Sequence, residues 1–431
     1  MVLHSTNGTH AAPTSSATSL VSLAANISEK AASLSAYLES KGHAQPNFIP
    51  GCADPPETEE YLALHTSLTS SLEDLQRLAD GPRRSLRPFI MIGNDLAALQ
   101  VAFDFGFFQL VPFEGSIDVE TLACKVGIDA DRVARVLRML ATHRIFVEPK
   151  PGFFAHTAAS AVFHDDEELR CAGHYMLDEC FKAATASSAC IKASPNDSDS
   201  THSPFNTYFG VPMFSYYEEN PQFAARFAKA MAGPLTVDRQ IAELRDCFPW
   251  GDINGTVVDV GGGSGHISMA LARSFPQLDF IVQDDSEKML AQGRARYLSD
   301  IEGRISFMKH SFFDPQPIGG LGAFFIRQCT HNWCDRDVVK ILKSLVPGLE
   351  KSAPGTPLLI NDTVLPEPGS KPLHEERTLR QMDMLMFVVL GAKQRTAKEF
   401  EALLKEADSR YEIRRVHADG SMGLVEVHLK I

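Results

Sequence analysis

Leucines recur at helical spacing over the first eighty residues. From Ser19 the segment SLVSLAANISEKAASLSAYLESKG sets Leu20, Leu23, Ile27, Leu34 and Leu38 on one stripe, and Gly42 ends it. A Pro-rich break, AQPNFIPGCADPPE, leads to a second stripe of Leu64, Leu68, Leu72, Leu75 and Leu78, predicted to end at Gly81-Pro82. Neither stripe has an evident partner nearby, so each needs packing within the chain or against a second copy. Further on, Val133, Val136, Leu137 and Leu140 form a helical core face, with Gly127 as the turn before it and a hairpin predicted around Pro151-Gly152. That is a winged-helix pattern. The polar, turn-rich stretch between Ala186 and Ser203 is predicted to be an exposed loop within a helical region.

From Val257 the period changes. TVVDV, a helix over Ser268 to Ser274, DFIVQD, a helix from Ser286, RISFMKH, AFFIRQC, a helix from Arg336, PLLINDTV and a terminal strand pair succeed one another. Strands alternating with helices predict an α/β domain of Rossmann-like type with a mostly parallel sheet. The chain thus divides into a tail over 1–18, expected to be disordered, a helical and winged-helix domain over 19–165, a helical linker region over 166–245 and an α/β domain over 246–431.

Composition narrows the function. With 431 residues, 44% hydrophobic and 22% charged, the chain has ample core material for an enzyme of more than one domain. The winged helix, with Arg132, Arg135 and Arg138 near its second helix, would suggest a DNA-binding regulator, but a formal charge of −13 repels phosphate backbones and excludes nucleic acid as the default partner. Eight cysteines without a C-x-x-C pair point to a reducing compartment and no metal site. No basic-then-apolar leader occurs and no run of about 18 apolar residues, so a cytoplasmic location and no membrane are expected, and the sequons at Asn7 and Asn26 are taken as chance matches.

The chemistry is concentrated in VVDVGGGSGH. The strand ends at Val260; Gly261 and Gly263 allow a tight turn, and Gly265 allows close approach of a ligand or helix. His266 stands where a dinucleotide fingerprint has its third glycine, which argues against NAD. Asp259 precedes the turn, placed to anchor its amides or take the amino group of a cationic ligand. Asp284 closes the next strand about twenty residues on, where an acid accepts both ribose hydroxyls. A nucleotide-like ligand is expected.

With these residues in view, the sequence resembles the class I S-adenosylmethionine-dependent O-methyltransferases of the plant caffeate and fungal sterigmatocystin type, over most of its length from about Leu20. VVDVGGGSGH, FIVQD, IRQCTHNWCD, RTLRQMDMLMFVVLGAKQRTAKEF and RFAKAM carry the resemblance. It implies S-adenosyl-L-methionine as cofactor and a homodimer built on the N-terminal helices and winged helix. It also implies His331, in HNWCD, as the general base that takes the acceptor's hydroxyl proton. A phenol of pKa about 10 and an imidazole near about 6.5 suit such a transfer as the C–O bond forms. By the same resemblance Phe227, Met231 and Met386 line the acceptor pocket and Arg327 lies near the cofactor.

Several positions depart from the family pattern. Ser311 stands where relatives carry an Asp against adenine, and Asn332 where they have the Asp of H-D-W. The two acids that orient the histidine are represented by Asp362, one methylene shorter, and by Gln394, which accepts a hydrogen bond but brings no charge. The implied activity is O-methylation of a small aromatic or polyketide-type specialised metabolite. The alternative is a pericyclase or cyclase of the same fold that binds S-adenosylmethionine without transferring its methyl group.

Overall fold

The computed structural model describes residues 19–231, 234–296, 299–417 and 422–430, with backbone only from 234 to 240. The expected tail over 1–18 lies outside the described residues. The chain forms two compact units: one of residues 1–102, 110–162 and 372–375, the other of residues 103–109, 163–371 and 376–431.

In the first unit a helix Leu20–Ser40 begins at Ser19, whose hydroxyl accepts from Ser22 N, so an orphan amide of the first turn is satisfied. Its last turns meet the next helix: Tyr37, Leu38 and Tyr61 bury one another with Leu34 and Leu64 against them. Of the remainder, Leu23, Ile27, Leu68 and Leu75 are half-buried and Leu20, Leu72 and Leu78 are exposed. The second helix does not stop at Gly81-Pro82. It continues over Glu59–Asp104 with a kink at Gly81, which takes φ 68° and ψ 172°. Gly81 absorbs the left-handed turn, and Pro82 then occupies the first turn of the next helical stretch, where its missing N–H costs nothing.

The winged helix follows. Helices Val119–Val126 and Ala130–Ala141 are capped by Asp118 and Asp129, and the hairpin Val147–Lys150 with Phe153–Ala155 turns at Gly152. Leu122, Val133, Leu137, Leu140 and Phe154 fill its core.

The second unit centres on a seven-stranded sheet. Its order is Tyr411–His417, Gly423–Leu429, Pro357–Asp362, Ala323–Arg327, Gly255–Val260, Leu278–Asp284 and Ile305–Lys309, with the last five parallel and Gly423–Leu429 antiparallel to both neighbours. Alternate residues feed two cores. Val258, Val260, Phe324, Ile326, Leu358 and Ile360 face helices Asp335–Glu350 and Ala397–Ala407. Val257, Phe325, Leu359 and Leu424 face Ile267, Leu271 and Trp250 on the other side. Both faces are covered, which is why these strands read as nearly continuous apolar runs.

Between the linker helices, the stretch expected as an exposed loop contains a helix over Ser187–Ala193. The rest is mostly exposed, as expected, with a few ties to backbone: Ser198 Oγ donates to Gly391 O at 2.8 Å, and Asp199 Oδ1 accepts from Thr201 N and His202 N.

Candidate active site

The chain leaves strand Gly255–Val260 toward Leu278–Asp284 and Ile305–Lys309 on one side, then crosses back to Ala323–Arg327 on the other. The crevice beyond the carboxyl ends of these two central strands is where such sheets place ligands. A cleft of about 200 Å³ opens there, lined among others by Asp259, Gly261, Gly263, His266, Met289 and Arg327. Gly261 and Gly263 take φ 73° and 58°, conformations that disfavour any side chain. Gly262 is required for another reason: a Cβ there would lie 2.5 Å from the Asp259 carboxyl carbon.

Asp259 is 2% exposed and accepts from Ser268 Oγ at 2.5 Å. Burial pushes its carboxyl up, Ser268 and the Arg327 charge pull it down and Asp284 adds to the rise, leaving it at about 6. Asp284 caps the neighbouring strand: its two oxygens accept from Gly263 N at 3.0 Å and Ser286 N at 2.8 Å. Burial lowers the Arg327 guanidinium from its usual range, against the attraction of Asp259 and Asp362. Arg327 donates to Asn361 Oδ1, its register partner on the adjacent strand. Ser311 follows the edge strand and its hydroxyl accepts from Phe313 N at 3.4 Å. Phe312 and Phe313 meet Trp333 edge-on.

Four residues beyond Arg327, His331 lies in a 3-10 turn, Thr330–Asn332, entered through Gln328 with φ 46°. Its Nδ1 is 2.5 Å from Asp362 Oδ1. Asp362, 1% exposed at the end of its strand, also accepts from Thr330 Oγ1 at 2.6 Å, His331 N at 3.1 Å and Thr363 N at 3.1 Å. Burial would raise this carboxyl, but the imidazole and these donors outweigh it and hold it below the usual carboxylate range. An ionised Asp362 only accepts, so Nδ1 carries the proton and the Nε2 lone pair of a neutral ring is free.

Not every expected residue joins this group. Gln394 is 4% exposed, its backbone N–H donates to Asp383 Oδ1 at 2.8 Å, and its side-chain oxygen is buried without a partner. No hydrogen bond links it to His331 among the described residues. Phe227 and Met386 share an aromatic cluster in which Phe227 stacks on Tyr217 with centroids 4.9 Å apart. Met231 ends helix Pro221–Ala230 and is 54% exposed. Other lining residues were given no role by the sequence reading. Gly262, Ser264 and His266 belong to the motif itself, Ile267 directly follows it and Gln328 follows Arg327, whereas Met289 reaches the cleft from helix Glu287–Arg294 with no signal in its spacing. Among the described residues no group of His, Cys, Asp and Glu could hold a metal, and no helix is long and apolar enough to cross a membrane.

Residues 188–410 match the family model of the O-methyltransferase domain, and residues 95–166 that of the O-methyltransferase dimerisation domain. The chain is 92% identical over 431 residues to O-methyltransferase sol2 of Alternaria solani, covering 100% of both chains. It is 32% identical to chlorophenol O-methyltransferase of Trichoderma longibrachiatum, over 91% of this chain and 86% of that one. Among solved structures OxaC superposes with a TM-score of 0.72 at 22% identity, over 95% of this chain and 100% of that one. A structure described as a pericyclic reaction enzyme superposes at 0.69 with 18% identity, over 94% and 100%. At such identities the likeness of either structure is one of fold alone.

Proposed function

The chain belongs to the O-methyltransferase family, and from that premise we propose that it methylates a hydroxyl of a small aromatic or polyketide-type metabolite with His331 as general base. One observation carries the assignment: His331, its Nδ1 held 2.5 Å from Asp362 Oδ1, lies four residues beyond the cleft-lining Arg327 that ends strand Ala323–Arg327. The relative named for chlorophenol supports a phenolic acceptor. The pericyclase alternative is not favoured, since the full-length relatives at 30% identity and above are named O-methyltransferases.

S-adenosyl-L-methionine would supply an electrophilic methyl carbon. The cleft fits it: a buried anionic Asp259 suits its amino group, Asp284 its ribose hydroxyls, and the side-chain-free turn at Gly261 and Gly263 admits its close approach. Ser311 takes the place on the adenine side, and Arg327 balances Asp259. Asp362 fixes the tautomer and plane of His331, whose Nε2 receives the acceptor's proton, and its charge favours the imidazolium that results. Gln394, which makes no hydrogen bond to His331 among the described residues, is given no part in the step. Phe227, Met231 and Met386 provide the apolar acceptor wall, and most of the rate comes from orientation.

The same reading assigns dimerisation to residues 19–165, an acceptor-pocket contribution to 166–245 and cofactor binding to 246–431. The dimerisation-domain match and the exposed leucines of the two stripes support a homodimer. Eight free thiols suit a reducing cytoplasm, and the net charge of −13 leaves nucleic acid out. In the test, His331→Ala lowers the single-turnover rate by about 10²–10⁴-fold with cofactor affinity nearly intact. An undiminished rate rejects His331 as the base.

A further inference from the structure

Asp362 grips the His331 turn through its hydroxyl, amide and imidazole donors. Arg395, which enters none of the roles above, meets the turn's carbonyls. It opens the two-residue strand Arg395–Thr396, directly after Gln394, and its side chain is 0% exposed. Every guanidinium N–H has an acceptor. Nη1 donates to Thr330 O at 2.8 Å and Lys393 O at 3.2 Å. Nη2 donates to Trp333 O at 2.8 Å and lies 2.8 Å from Asp335 Oδ1. Nε donates to that same oxygen at 2.9 Å. Two of these acceptors are the carbonyls just before His331 and two residues after it.

We infer that Arg395 is a positioning residue for the transfer, clamping the turn that aims the His331 imidazole; the inference rests on the reading of His331 as base. The turn belongs to no strand ladder. Its internal backbone bonds are Asn332 N to Cys329 O at 3.1 Å and Trp333 N to Thr330 O at 3.3 Å, Gln328 N before it donates to Asn361 O at 2.9 Å, and Cys329 and Trp333 pack into the core. Asp362 fixes the Thr330 hydroxyl, the His331 amide and the ring. The carbonyls of Thr330 and Trp333, on either side of the histidine, need a donor from elsewhere. The guanidinium supplies one to each: its planar fork spans carbonyls three residues apart in one rigid group, which a lysine ammonium cannot do. Filling the space with an apolar side chain would avoid burying a charge. A cation is kept here with its donors directed at the histidine's own loop, at Asp335, the residue that begins the next helix, and at Lys393 O.

The test uses full-length protein carrying Arg395→Lys, alone and with His331→Ala. Expected are a single-turnover rate lowered about 10–100-fold, as misaligned reactants give, an S-adenosylhomocysteine Kd within about twofold of wild type, and faster amide exchange in the peptide 328–336. In the His331→Ala background Arg395→Lys should change the residual rate by less than about twofold, because its effect passes through the histidine. A folded Arg395→Lys protein with the wild-type rate overturns the inference. So does an equal loss with and without His331. Failure of the base reading shows separately, as an undiminished rate in His331→Ala alone. Should Arg395→Lys not fold, Asp335→Asn decides, since that carboxylate is 44% exposed and anchors the fork from outside. A rate loss of roughly 3–10-fold with faster exchange over 328–336 supports the clamp; unchanged rate and exchange overturn it.

Discussion

Replacing Asp362 with Asn changes no heavy-atom shape and should nearly abolish turnover. Each carboxylate oxygen faces a backbone donor that cannot turn away: Thr363 N at 3.1 Å from Oδ1, and His331 N at 3.1 Å from Oδ2. Whichever way the amide is placed, its NH2 meets one of these N–H groups head-on, at a cost to stability of about 1–3 kcal/mol. If the NH2 replaces Oδ1, it also donates to Nδ1, which drives the ring proton to Nε2 and removes the lone pair needed to accept from the substrate. If it replaces Oδ2, the tautomer survives but the imidazolium loses its counter-charge, a charge-assisted bond of about 1.5–3 kcal/mol. Either route gives a rate loss of about 10²–10⁴-fold in the chemical step. Single-turnover kinetics reads it, with calorimetry to show that S-adenosylhomocysteine affinity is kept.

Acid melting adds a second readout. Because the folded Asp362 carboxyl lies below its unfolded value near about 4, the stability it confers is present above that value and is lost as pH falls through the folded one. Asp362→Asn should therefore lose its own share of the acid sensitivity. A variant retaining more than about a third of the wild-type single-turnover rate refutes the orienting role, since even one lost hydrogen bond costs more.

Two further expectations concern the cofactor cleft. Asp284→Ala should weaken S-adenosylhomocysteine binding by about 2–3 kcal/mol, as loss of a charged acceptor does, and an unchanged calorimetric Kd would remove Asp284 from the ribose site. Asp259 titrates at about 6 with Arg327 and Asp284 facing it, so affinity for the amino-acid end of the cofactor should fall as pH drops below about 6. For stability the sign is opposite to that of Asp362: the folded carboxyl holds its proton more tightly than the unfolded one, so this group's contribution declines as pH rises from about 4 to about 6. Asp259→Asn should flatten both profiles, and a pH-independent wild-type Kd between about 5 and 8 would contradict the assignment.

What the sequence makes legible is what local pattern controls. The strands ending at Val260, Asp284, Arg327 and Asp362 are apolar runs with a polar residue at or next to the carboxyl end, so the sheet and the acids at its carboxyl edge could be read from them. The winged helix was legible from Gly127, the face of Val133 and Leu137, and the Gly152 turn. Gly81-Pro82 misled because the same dipeptide ends a helix or kinks it, and only packing decides which. The helix Ser187–Ala193 was hidden because it is short, has no side-chain cap and sits in a serine-rich stretch that composition reads as a loop. Arg395 was invisible as a functional residue because its acceptors are backbone carbonyls about sixty residues away, and no spacing announces them.

The most direct test of the account follows both products of one reaction. Purified protein, S-adenosylmethionine and a panel of phenolic and enolic polyketide acceptors are combined, and the acceptor's mass and the release of S-adenosylhomocysteine are measured together. The account predicts an acceptor heavier by one methylene with one equivalent of S-adenosylhomocysteine per product, both lost in His331→Ala. An acceptor that rearranges at constant mass, with S-adenosylmethionine required yet unconsumed, would contradict it.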